Sequence, residues 1–74
     1  MSMLAEITAV ATHRPAADSP AEAVASWYDA VGRMHEHLAT DATEHHRDQE
    51  AAAELALAAG AFEHARRILA GAVA

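Results

Sequence analysis

The stretch Ser19-Pro20-Ala21-Glu22-Ala23-Val24-Ala25-Ser26-Trp27-Tyr28 decides how the chain folds. Serine suits a helix N-cap, where its oxygen accepts an otherwise unpaired backbone N–H. Proline suits the first helical position, where its missing donor costs nothing. Glutamate three residues after the serine completes a capping box. A helix is therefore predicted to start at Pro20. Its apolar stripe continues through Val24, Trp27, Tyr28, Val31, Met34 and Leu38, at helical spacing. Glu22, Ser26, Asp29, Arg33, Glu36 and His37 fall on the opposite face. Trp27 and Tyr28 are adjacent, so they cannot both face one narrow seam, and one is expected to reach a second surface.

Downstream, Ala39-Thr40-Asp41-Ala42-Thr43-Glu44 has neither glycine nor proline. Asp41 with Glu44 reads as a second capping box, which favours a break over one helix running from 20 to 59. Gly60 then marks a stop, and residues 61–73 read as a last helix with Phe62, Ala65, Ile68, Leu69, Ala72 and Val73 on one side. The predicted helices are 20–39, 42–59 and 61–73, in a single helical domain over 19–74. Upstream, residues 1–18 form an N-terminal arm. Met3 or Leu4, Ile7 and Val10 fit a short amphipathic helix, while Thr8, Val10 and Thr12 fit an extended strand equally well. The fold class is all-α, a three-helix arrangement with a C-terminal helical hairpin.

Composition makes this a thin core. Alanine accounts for 22 of the 74 residues. Seventeen larger apolar side chains remain, five of them among the first ten residues. Ordering each residue costs about 1.5 kcal/mol, which a core of that size offsets only to near zero. Chains in this position add disulfides, a metal or a partner. Cysteine is absent, which removes disulfides, thiolate metal sites and a cysteine nucleophile. A homo-oligomer or a protein partner is expected to complete the fold. The net charge of −6 repels phosphate and no basic stripe offsets it, so nucleic acid is not an expected partner. No run approaches the roughly 20 apolar residues of a membrane span. Glu6 interrupts the N-terminal apolar stretch, which lacks a cationic leader region, so the expected location is cytoplasmic.

From Gln49 to Val73 the chain resembles a tetratricopeptide repeat. Ala53 matches the small residue midway along that family's first helix, Gly60 its turn glycine, Phe62 the aromatic two residues later, and Ala65 the following alanine. Leu69 and Ala72 match its closing large and small residues. The sequence departs from the family where Ala56 replaces the usual large residue of the first helix, and no second copy is visible. The resemblance implies one hairpin with an added helix, since a solenoid needs about three repeats. It also implies protein–protein interaction without catalysis.

Two surfaces are candidates for function. Trp27, Tyr28, Val31, Met34 and Leu38 form the expected interaction seam, because aromatic side chains commonly anchor interfaces. The alternative is a small histidine-rich metal-binding protein. If the helix runs through 40–43, His37, Asp41, Glu44, His45 and Asp48 share one stripe, and two or three of them could chelate zinc, nickel or copper. If it breaks, His46 with Glu50 is the pair left. Catalysis is not expected: Ser2, Ser19 and Ser26 lie at a terminus, a cap and a helix start, and a chain of 74 residues leaves little room for a pocket. No cofactor is implied.

Overall fold

A computed structural model describes residues 2–73, the side chain of Val73 excepted. The expected domain limits at Met1 and Ala74, and the packing expected of Val73, lie outside the described residues. The protein is all-α: α1 spans Met3–Thr12, α2 spans Ala21–Glu44 and α3 spans Asp48–Val73. α2 and α3 form a long antiparallel hairpin, and α1 packs on α2. The whole measures 43 × 23 × 15 Å. Its length is that of its longest helices, since 24 to 26 residues rise about 36–39 Å. No helix among the described residues is long and apolar enough to cross a membrane.

α1 settles the open choice at the N-terminus in favour of helix. Ser2 caps it, its Oγ accepting from the Ala5 N–H at 3.0 Å. α2 begins one residue later than expected. Pro20 has ψ of 148°, so proline rather than Ser19 occupies the cap position and no side chain caps that end.

Two expectations are overturned. The helix starting at Ala21 does not break at 40–43 but continues to Glu44. The turn falls at 45–47, where the Arg47 N–H donates to Ala42 O at 2.8 Å and the His46 N–H to Thr43 O at 3.0 Å. That pair of bonds is a Schellman motif, and it requires the residue after the cap to be left-handed. His46 takes that conformation, with φ of 57°. Asp48 and Glu50 then open α3, where negative charge favours a helix start. Gly60, in turn, does not stop a helix. α3 runs through it without interruption and no glycine has positive φ, so residues 49–73 belong to one continuous helix and no turn falls at Gly60. Ala59 and Ala61 on either side are strong helix formers, and a lone glycine costs only about 1 kcal/mol there.

The core sits between α2 and α3 and is made of small residues. Ala25, Gly32 and Ala39 recur every seven residues, with Ala42 three further on. Ala51, Ala58 and Ala65 answer them on α3, with Ala61 beside them. A seven-residue spacing keeps each set on one side of its helix. Side chains this small let two helices approach closely. At Gly32 there is no room for a side chain: a Cβ there would lie 2.5 Å from the Phe62 ring. The large residues of the expected seam lie outside this core: Trp27, Val31, Met34 and Leu38 are all half-buried.

Candidate functional site

The five seam residues do not form one surface. Trp27 turns toward α1, where its indole Nε1–H donates to the Val10 carbonyl at 2.8 Å. That carbonyl lies in the last turn of α1 and has no partner within its own helix. Arg14 sits over the indole, 5.1 Å from the ring centroid. Tyr28 meets Trp27 edge-on at 5.0 Å and turns toward α3, where its ring meets that of His64 at 4.2 Å, tilted by 50°. Adjacent aromatic residues thus serve different surfaces, as their spacing required. The result is a chain of contacts, Arg14–Trp27–Tyr28–His64, that ties all three helices at one end. A depression of about 250 Å³ lies beside it, lined by Arg14, Pro15, Val24, Trp27 and Tyr28 among others. It is smaller than the roughly 300–1,000 Å³ of ordinary small-molecule sites.

The metal candidates scatter. His37 leaves the stripe to bond the Glu6 carboxylate of α1 at 2.8 Å. With Trp27–Val10 this pins α1 at both ends, running back along α2. Asp41 is occupied by a cation already, accepting from Arg47 at 3.0 Å, and the Arg47 Nε reaches Glu50 at 3.2 Å. His45 bonds the Asp41 carbonyl at 2.8 Å and lies 3.6 Å from its carboxylate. His46 forms the left-handed turn. Around the corner from α2 to α3, Arg47 thus does what a metal would do, neutralising Asp41 and Glu50 together. No group of three metal-ligating side chains converges among the described residues. His35, outside every expected set, bonds Glu54 across the hairpin. Near the end of α3, Glu63 accepts from Arg66, and that bond with the Arg66 charge holds its carboxyl below the usual carboxylate range.

The feature that sequence reading missed is the outward side of α3. From Ala51 to Phe62 the one polar side chain is Glu54, and His35 binds it. Ala52, Ala53, Leu55, Ala56, Leu57, Ala59 and Gly60 are all exposed, Leu55 and Leu57 to 54% each. A helix that is apolar all round belongs inside a larger structure. The pattern was visible in the one-letter string, but alanine there reads first as a helix former.

No protein-family model, curated protein or solved structure matches the chain. The site stands on its own residues.

Proposed function

We propose that this protein is a non-catalytic protein–protein interaction module, an adaptor, assembly factor or small subunit of a complex. The observation that carries this reading is the uncharged outer face of α3, more than two helical turns of exposed alanine, glycine and leucine. Water is a poor neighbour for such a face, and burying it against protein is worth about 25 cal/mol per Å². The thin core gives association a second purpose, because the buried residues among those described are seven alanines and one glycine. The charge of −6 favours protein over nucleic acid as the partner, and a cytoplasmic location is part of the same reading.

Native mass spectrometry of the tagged chain isolated from its own cells tests this. The expected result is a stoichiometric complex with protein, its own copy or another, and a melting temperature that a strong chelator does not move. A free monomer in the extract would overturn the proposal. A stoichiometric metal whose removal lowers the melting temperature by several degrees would put the histidine-rich alternative in its place.

A further inference from the structure

Arg47, Arg66 and Arg67 are committed to carboxylates, the first to Asp41 and Glu50, the other two to Glu63. Arg33 lies on the solvated face of α2. Arg14 is different. It has no carboxylate partner among the described residues, and its guanidinium is held over the Trp27 ring, 5.1 Å from the centroid. A guanidinium over an aromatic ring keeps its charge and its N–H donors for a further partner. Arg14, itself exposed, edges the depression of about 250 Å³ whose apolar wall is made of Pro15, Val24, Trp27 and Tyr28, each half-buried. We propose that this hollow binds a small aromatic carboxylate, with its ring against the apolar wall and its carboxylate on Arg14.

Size and charge both select that ligand. A protein cavity of about 150 Å³ is enough for benzene. A hollow of about 250 Å³ therefore takes one ring with its carboxyl group, and nothing as large as a nucleotide. The chain has 11 acidic residues and a net charge of −6, yet no acidic residue lines the hollow. Asp18 and Glu22, the nearest in sequence, are exposed and outside it. Arg14 is the one charged side chain there, so an anion is preferred to a cation of the same shape. Arginine meets a carboxylate with two parallel N–H bonds, which a neutral ring cannot accept. The apolar wall in turn favours a carboxylate that carries a ring over one that does not. Arg14 and Pro15 belong to the segment between α1 and α2, whereas Val24, Trp27 and Tyr28 belong to α2. An occupant that touches both holds that segment, and α1 with it, against α2. No residue of α3 lines the hollow, so the inference goes beyond the interaction reading and stands without it.

Phenylacetate titrated into the full chain tests this, read from the indole N–H resonance of Trp27, the only tryptophan. A saturable shift is expected with a Kd on the order of 1 mM, as suits one ring and one ion pair at an open site. Benzylamine, with the wrong charge, and acetate, with no ring, should each bind at least about tenfold more weakly. Arg14→Gln should weaken phenylacetate about tenfold. Its helical circular dichroism should be unchanged, because Arg14 is exposed and outside every helix. With phenylacetate at about ten times its Kd, amide exchange across Met3–Thr12 should slow by up to about tenfold. A Trp27 resonance that shows no saturable shift up to about 20 mM phenylacetate overturns the inference. So does benzylamine binding as tightly as phenylacetate, a comparison made on the unmodified chain that decides even where Arg14→Gln disturbs the fold. Phenylacetate binding that ignores Arg14→Gln, or that leaves exchange in α1 unaltered, places the ligand elsewhere and overturns it too.

Discussion

The two long helices are alike on one side and unlike on the other. Each turns a seven-residue repeat of alanine and glycine to its neighbour, Ala25, Gly32 and Ala39 on α2 against Ala51, Ala58 and Ala65 on α3. Away from that contact α2 exposes Glu22, Arg33, Glu36 and Thr40, as a solvated helix does. α3 exposes alanine, glycine and leucine over 52–60. Composition alone cannot separate a small residue that is core from one that waits for a contact. What separates them is the polarity of the residues one turn away on the same face.

The sharpest way to break the comparison is to place the same charge on both sides of α3. Ala58 is buried and Ala56 exposed, two residues apart. Ala58→Glu drives a carboxylate between the helices at a cost of several kcal/mol. Helical circular dichroism at 25 °C should collapse in Ala58→Glu and persist in Ala56→Glu, and equal collapse would mean that both faces are core.

Trp27→Ala should have the next largest effect, about 2 kcal/mol, from a half-buried side chain and its bond to Val10. The loss should fall on α1: amide exchange across Met3–Thr12 should accelerate while the α2–α3 contact stays protected. Unchanged protection in α1 would remove Trp27 as its anchor.

The glycines sharpen the contrast further. Gly32→Ala forces a methyl into the Phe62 ring, and overpacking of about 1–3 kcal/mol should outweigh the roughly 1 kcal/mol of helix propensity gained. Around Gly60 there is open space. In the Ala56→Glu background, where the outer face is free, Gly60→Ala should stabilise by about 1 kcal/mol. Urea midpoints read both, and a shift of the same sign at the two positions would contradict the assignment of inner and outer faces. The smallest effect belongs to the turn. His46→Gly should raise the midpoint by something under about 1 kcal/mol, by relieving a left-handed histidine, and a lowered midpoint would show that the side chain contributes more than its conformation costs.

Helix type and the entry to α2 were legible in the residues, the latter to within one position, because proline restricts the backbone wherever it sits. The α2–α3 turn was not. A Schellman turn usually carries glycine at its left-handed position, and here His46 stands there, while the glycine that looked like a stop, Gly60, lies inside α3. Asp41 and Glu44 looked like a capping box, yet Asp41 serves Arg47 instead. The core was hidden for a related reason. Trp27, Met34 and Leu38 were its natural candidates, but large side chains would hold the helices apart, and the chain buries alanines and leaves the large residues at the flank. Of the candidate site, the divergence of Trp27 and Tyr28 followed from their adjacency. The dispersal of the histidines could not be foreseen, because Glu6 reaches His37 only once α1 has docked on α2, and Arg47 reaches Asp41 only once the turn has formed.

An interior of alanine has a calorimetric consequence. Folding removes about 55% of the extended chain's surface, against about 60% in an ordinary domain of 60 residues. Heat capacity and denaturant sensitivity both scale with that change. The single chain should therefore unfold with a heat-capacity increment below the usual 12–15 cal/mol/K per residue, over a broad range of temperature and with a shallow response to urea. Its stability curve should be flat, so that cooling toward 0 °C, which erodes proteins with large apolar cores, leaves this hairpin nearly as it was.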